Sequence, residues 1–355
     1  MCDFSQYGGP SEEWLAVEKT LPALTFDTSQ DPAALKKSVN EQREQLGAQA
    51  MKMLGDKVHM VTHSIPTRDG STIEARSYRP VSKDQSETLP VYLYFHGGGF
   101  IFGTLGTEDA ACASIAVKTG VVVLHVNYRH TPEHTFPTPF YDAQDGFAWM
   151  HKNMATIGGD PSQVVVGGIS AGGQLTASLI LEKHLGKELS EYPPIAGQVL
   201  LIPCLAHVDT YAEGPLTLME SPEVSSYKEN ENAPLLSVST VKFFTGLLKA
   251  GTPDLRDTKL NIVNATPEEV KGMPPTVFGI AGLDPLRDEG LLYAKKLTEA
   301  GVPTDITLFK GIPHGARRFG PLLKANEAWD EVHQKGILWA LSKPKATGRF
   351  EVVVR

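Results

Sequence analysis

Val164-Val165-Val166-Gly167-Gly168-Ile169-Ser170-Ala171-Gly172-Gly173 is the stretch on which the reading of this chain turns. Three β-branched residues in a row predict a short buried strand. Leu175, Leu179 and Ile180 then fall at helical spacing, so a helix begins at once. Between the two lies Gly168-x-Ser170-x-Gly172, the pattern of a nucleophile elbow. A chain that turns so sharply strains the serine and pushes its hydroxyl out at the end of the sheet, above the positive end of the helix. The flanking glycines permit the close backbone approach that such a turn requires. A glycine-rich turn with an incidental serine fits the same letters, and the rest of the chain has to decide between the two.

Working outward, strands and helices alternate on both sides of the elbow. The continuous apolar run Val91-Tyr92-Leu93-Tyr94-Phe95 predicts a strand buried on both faces. Helices are predicted at 109–118, 141–153, 289–300 and 321–341, with strands at 121–126, 195–202, 275–280 and 303–309. Two earlier strands, 58–65 and 72–78, join at Arg68-Asp69-Gly70 and form an antiparallel edge. The pattern is α/β: a mainly parallel eight-stranded sheet with helices on both faces. Two segments fall outside it. Residues 1–55 carry helical spacing, with Ala34, Leu35, Val39, Leu46 and Met53 lining one face, and should lie over the main domain. Residues 205–251 break the alternation. The core is therefore divided into 56–204 and 252–355.

Composition narrows the function classes. A chain of 355 residues, 41% hydrophobic and 21% charged, is ordinary for a soluble globular protein with a large core. A net charge of -8 without any basic run argues against a nucleic-acid partner. No apolar stretch is long enough for stable membrane insertion, and the first residues do not read as a secretory signal. Cys2, Cys112 and Cys204 are few, odd in number and far apart, which fits reduced thiols in a cytoplasmic protein. No metal-ligand spacing occurs, and no cofactor is called for.

Ligands collect at the carboxyl ends of strands in such sheets, and several unusual residues fall there. The run ending at Phe95 leads into His96-Gly97-Gly98-Gly99, whose backbone N–H groups are unobstructed, as a developing oxyanion requires; a merely flexible loop is the alternative. Asp284 follows the strand at 275–280 and His314 follows the one at 303–309. Serine, acid, histidine, each after its own strand, is the chain order of an α/β-hydrolase triad. In that chemistry Ser170 attacks a carbonyl carbon, His314 takes its proton, and Asp284 holds the imidazole tautomer. Each has a bland reading: Asp284 as a helix N-cap before Pro285, and His314 as one of eleven histidines. Asp288 competes for the role of acid, although its place suits a first-turn helix charge.

These pieces carry a family resemblance. The chain resembles the hormone-sensitive-lipase-like branch of the α/β-hydrolases, through His96-Gly97-Gly98-Gly99-Phe100, Asn127-Tyr128-Arg129 with Pro132-Glu133-His134, Gly159-Asp160-Pro161, Ser170-Ala171-Gly172-Gly173 and Asp284-Pro285-Leu286-Arg287-Asp288. The resemblance implies that Ser170, Asp284 and His314 are catalytic and that the N–H groups of Gly97, Gly98 and Ala171 form the oxyanion hole. It also implies that His96 shapes that loop through a side-chain hydrogen bond, though it could merely end the strand. Residues 1–55 and 205–251 would form a helical cap, and Arg129, Glu133 and His134 would fix the loop after the fourth strand. Ile169 departs from the family, which usually has an acidic or hydroxyl residue before the nucleophile.

The resulting expectation is a serine hydrolase that cleaves carboxylic esters of small or medium, fairly apolar substrates through an acyl-enzyme. An acyltransferase, or a hydrolase of thioesters or amides in small-molecule biosynthesis, is the nearest rival. A ligand receptor on the same fold is the rival of another class. The oligomeric state, a homodimer included, is left open.

Overall fold

Leu89–Phe95 is apolar on both sides of its pleat because two layers of helix cover it. Val91, Leu93 and Phe95 join one core cluster, and Tyr92 and Tyr94 the other. The same alternation repeats along neighbouring strands, so both clusters are continuous across the sheet. The computed structural model describes residues 1–22 and 28–355. Its strands are β1 (Val58–Pro66), β2 (Thr72–Pro80), β3 (Leu89–Phe95), β4 (Val122–Asn127), β5 (Gly159–Ile169), β6 (Gly197–Leu201), β7 (Thr276–Leu283), β8 (Thr304–Pro313) and β9 (Val353–Val354). Its helices are α1 (Glu12–Glu18), α2 (Pro32–Met51), α3 (Leu105–Thr119), α4 (Thr138–Lys152), α5 (Met154–Ile157), α6 (Ala171–His184), α7 (Ser226–Glu229), α8 (Val238–Leu248), α9 (Pro267–Val270), α10 (Arg287–Glu299) and α11 (Ala325–Leu341).

The strands form one sheet in the order β1-β2-β4-β3-β5-β6-β7-β8-β9. β1 and β2 are antiparallel, as is the β2–β4 pair, and the remaining pairs are parallel. The eight expected strands are present, and β9 adds a ninth along β8, with Thr307 opposite Val353. The chain passes outward from β3 to β4, then returns past β3 to β5 on its other side. The helix after β3 packs with Tyr92 and Tyr94, whereas the helix after β5 packs on the opposite face with Val166. The connections thus leave adjacent strand ends in opposite directions and open a crevice at the carboxyl ends of β3 and β5. His96 to Gly99 and Ser170 stand at its two edges.

The N-terminal segment departs from the expected apolar stripe. Leu35 is buried and Val39 packs beside Ile101 and Phe102, but Ala34, Leu46 and Met53 are exposed. The reason is that α2 is held by polar contacts that follow no apolar period. Asn40 accepts the Gly103 N–H at 2.9 Å, Arg43 pairs with Glu108 at 2.9 Å, and Glu44 accepts the Thr104 hydroxyl at 2.5 Å. Residues before α2 run elsewhere: Ser11 N–H donates to Gly311 O, and Trp14 is fully buried in the second cluster. Residues 23–27, part of the segment expected to contribute to a cap, lie outside the described residues. Among the described residues no helix is long and apolar enough to cross a membrane.

Candidate active site

β5 delivers Ser170 to the crevice, and α6 begins at the next residue. Ser170 has φ 55° and ψ -116°, the strained conformation expected of an elbow. The turn is possible because Gly172 has no side chain: a Cβ there would stand 2.0 Å from Phe95 O. Ile169, the residue that departs from the family pattern, packs against the second core cluster. Ser170 itself is half-buried, so its hydroxyl is open to a ligand.

Asp284 and His314 arrive from the ends of β7 and β8, and the three side chains form one line of hydrogen bonds. His314 Nε2 lies 2.9 Å from Ser170 Oγ, and His314 Nδ1 lies 2.7 Å from Asp284 Oδ2. A carboxylate there can only accept, so Nδ1 carries the proton and Nε2 is left with a lone pair toward the serine. Asp284 is almost fully buried, and its other oxygen accepts the Leu286 N–H at 2.9 Å. Asp284 is not the helix N-cap that its place before Pro285 suggested: α10 begins at Arg287 with Leu286 as its N-cap, and Oδ1 of Asp284 instead closes the turn ahead of the helix while Oδ2 holds the histidine.

Asp288 is not beside His314. Its Oδ1 accepts from Arg287 Nε at 2.8 Å and its Oδ2 from Ser226 N–H at 2.6 Å. It does more than supply a first-turn charge: it ties α7, in the segment that breaks the alternation, to the start of α10. Arg287 adds a 2.7 Å ion pair to Glu229, and Asn230 donates to Asp284 O at 3.0 Å. Asn230 and Ser226 went unread in the sequence, where nothing distinguishes them from a polar loop.

Opposite the serine, the loop His96 to Gly103 presents its backbone. Gly98 has φ 132°, and a Cβ on it would meet Phe102 O at 2.3 Å, so only glycine permits this path. The backbone N–H groups of Gly97, Gly98 and Ala171 donate to no acceptor among the described residues. His96 is fully buried, with Nδ1–H donating to Gly97 O at 2.9 Å and its ring stacked on Tyr128. Its side chain thus braces the loop from behind. Tyr128 donates its hydroxyl to His96 O at 2.8 Å, and Thr131 N–H donates to Phe100 O at 2.8 Å. Arg129 grips Asp142 with two nitrogens and Asp69 with a third. Glu133 pairs with Lys36 of α2, which also donates to Thr131 O, and His134 N–H donates to His130 O.

Behind the loop stands a cluster of buried rings. His96 meets His125 at 5.2 Å and His130 at 5.0 Å between centroids. Burial pushes His96 down to about 3, His333 likewise to about 3, and His125 and His130 well below the usual imidazole range. These rings are neutral when folded, whereas each binds a proton below about 6.5 in the unfolded chain. Their contribution to stability is full above pH 6.5 and is lost as the pH falls toward 3, by up to about 1.4 kcal/mol per histidine per pH unit. Burial also pushes His63, His151 and His207 down, while it pushes the carboxyls of Glu289, Asp288 and Asp305 up, and these three work in the opposite direction against seven histidines. The melting temperature should therefore drop steadily between pH 6.5 and 4.5, and a flat calorimetric profile over that range would contradict this account.

Two open surface clefts, of about 580 and 670 Å³, contain none of Ser170, Asp284 or His314. Among the described residues no cluster of His, Cys, Asp and Glu is arranged to hold a metal ion, and the three cysteines are unpaired.

A family model for the alpha/beta hydrolase fold matches residues 92–318. The chain belongs to the α/β-hydrolase family. Its motifs and relatives put this α/β-hydrolase in the hormone-sensitive-lipase-like branch. It is 34% identical over 261 residues to carboxylesterase NlhH of Mycobacterium tuberculosis, across 72% of this chain and 75% of that one. The esterase of Pyrobaculum calidifontis matches at 30% identity with a TM-score of 0.76, over 94% of this chain and 99% of that one. The crystal structure of vibralactone cyclase matches at 26% identity with a TM-score of 0.82, over 97% of this chain and 98% of that one.

Proposed function

We propose that this α/β-hydrolase is a serine carboxylesterase acting on small or medium, fairly apolar esters through an acyl-enzyme. The observation that carries the proposal is the line Asp284–His314–Ser170, at 2.7 and 2.9 Å, beside the Gly97, Gly98 and Ala171 N–H groups that donate to no acceptor among the described residues. His314 Nε2 takes the Ser170 proton as Oγ attacks the ester carbonyl carbon. The N–H groups of Gly97, Gly98 and Ala171 hold the resulting oxyanion, with His96 bracing their loop. Collapse of the intermediate expels the alcohol, which leaves with the proton from His314. Water, deprotonated by the same nitrogen, then attacks the acyl-serine and frees the acid. Asp284 steadies the imidazolium in both halves.

Residues 1–55 and 205–251 serve as the cap in this reading. In support, Cys2 exchanges backbone hydrogen bonds with Leu218 and Glu220, joining the two segments. Phe244 of α8 lies against Gly99 and meets Phe102 at 5.9 Å, so an apolar wall adjoins the oxyanion loop. Shortening that wall by Phe244→Ala should move the preferred acyl chain to greater length by at least two carbons. Hydrolysis of aryl esters graded from acetate to decanoate measures this, and the same panel tests the proposal itself. An unchanged preference would move the selective wall to another element. A wild-type protein inert to the whole panel would end the esterase reading.

The likeness to vibralactone cyclase, by its name a ring-forming enzyme, favours one second reading, in which the acyl group passes to an acceptor other than water. Products formed with and without an added alcohol or amine, and rates on matched thioesters and amides, separate the two. The unpaired thiols support a cytoplasmic location, and the net charge of -8 supports the absence of a nucleic-acid partner. A receptor role is disfavoured by the complete line of hydrogen bonds. Light scattering decides between monomer and homodimer.

A further inference from the structure

The loop that presents the oxyanion N–H groups is tied at its far end to the N-terminal segment. After Gly97 the chain turns tightly, and the N–H groups of Ile101 and Phe102 both donate to Gly98 O, at 3.1 and 2.9 Å. The next residue, Gly103, is buried, and its N–H has one acceptor among the described residues, Oδ1 of Asn40 on α2, at 2.9 Å. Gly103 also presses on the His96 ring, since a Cβ on it would stand 2.1 Å from Cε1. That ring donates through Nδ1 to Gly97 O, the carbonyl of the same peptide unit that carries the Gly98 N–H. A peptide unit is planar, so fixing its carbonyl fixes the direction of its N–H. Two routes therefore lead from Gly103 to the oxyanion hole, one through Phe102 to Gly98 O and one through the His96 ring to Gly97 O.

Asn40 is a fixed point because α2 is anchored on both sides of it. Toward the carboxyl end, Arg43 pairs with Glu108 and Glu44 accepts the Thr104 hydroxyl. Gly47 comes so close to α3 that a Cβ on it would stand 2.6 Å from Gly106 O. Toward the amino end, Leu35 packs with Ile101 and Phe102, and Lys36 donates to Thr131 O. The loop itself is the opposite of rigid in composition. Gly97, Gly98, Gly99 and Gly103 restrict the backbone little, so its shape depends on what it is tied to.

Resting on the esterase reading, we propose that Asn40 is a positioning residue for the oxyanion hole: by holding Gly103 it keeps the Gly97 and Gly98 N–H groups aimed at the developing oxyanion. It acts through the loop and has no described hydrogen bond to Ser170, Asp284 or His314. The charge those N–H groups receive develops only in the transition states, so misaiming them weakens catalysis more than ester binding. Acylation and deacylation both pass through such an oxyanion, so kcat carries the loss whichever step limits it.

The test compares wild type with Asn40→Ala, Asn40→Asp and Glu44→Ala on para-nitrophenyl butyrate. Alanine removes the acceptor at a half-buried helix position that suits it, and aspartate keeps an acceptor oxygen. Glu44→Ala loosens the same helix, but its partner is the Thr104 hydroxyl rather than the Gly103 backbone. Asn40→Ala should lower kcat by roughly ten- to hundredfold with KM within about threefold, a partial form of losing an oxyanion donor. Asn40→Asp and Glu44→Ala should both keep kcat within about threefold of wild type. Asn40→Leu, close to asparagine in outline, supplies the same readout should Asn40→Ala not fold. The proposal is overturned if kcat survives loss of the acceptor, or if its fall comes with a matching rise in KM. It is equally overturned if Glu44→Ala shows the same fall or Asn40→Asp does not restore the rate, since Asn40 would then only hold α2 in place. Absence of turnover in wild type would defeat the esterase reading, and this proposal with it.

Discussion

Ser170→Ala is expected to lower turnover of an activated ester by about 10⁴-fold or more while leaving the protein folded. The fold should survive because the change removes one oxygen whose only described side-chain partner is His314, at a half-buried position where water can replace it. The strained backbone at φ 55° remains, since alanine meets the same restriction as serine. What remains of catalysis would come from the N–H groups of Gly97, Gly98 and Ala171 acting on bound substrate. Wild-type protein should gain the mass of one fluorophosphonate adduct, located on Ser170, and the variant should gain none. A variant retaining a tenth of wild-type activity, or an adduct on another residue, would falsify the assignment.

Legibility of this site in the sequence followed the physical kind of each contact. Residues 91–95 of β3, 164–168 of β5 and 277–282 of β7 are buried on both faces, so each appears as an uninterrupted apolar run. Ser170, Asp284 and His314 each stand at a strand end, and strand ends can be read from where such runs stop. β9 escaped because Val352, Val353 and Val354 form a run too short to stand out between Glu351 and Arg355, and only the edge of β8 makes two of them a strand. The apolar stripe expected on α2 failed for a related reason. Asn40, Arg43 and Glu44 hold that helix by long-range polar contacts, and such contacts leave no periodicity. The same is true of Ser226, Glu229 and Asn230, whose partners lie more than fifty residues away. His125 and His130 read as ordinary polar residues until the fold closes them around His96.

Exchanging each of two neighbouring aspartates for asparagine should separate catalysis from stability. Both oxygens of Asp284 accept, one from Leu286 N–H and the other from His314 Nδ1–H. An asparagine has one acceptor oxygen and one donor amide, so it cannot serve both partners. The backbone N–H of Leu286 cannot reverse its polarity, whereas an imidazole can change tautomer. Asparagine will therefore give its oxygen to Leu286 and its NH₂ to Nδ1, which moves the ring proton to Nε2 and removes the base that Ser170 needs. Asp284→Asn should lower kcat by about 10⁴-fold with little change in melting temperature. Asp288→Asn leaves that line intact but weakens one of the bonds to Arg287 and Ser226, inside a pocket where both partners are buried. It should cost about 1–3 kcal/mol of stability and less than about tenfold in kcat, a smaller loss than any member of a hydrogen-bonded triad would show. Paired measurements of kcat and melting temperature on the two variants decide the matter. If Asp288→Asn is the inactive one and Asp284→Asn turns over near the wild-type rate, the acid of this site lies one helical turn from where the geometry puts it.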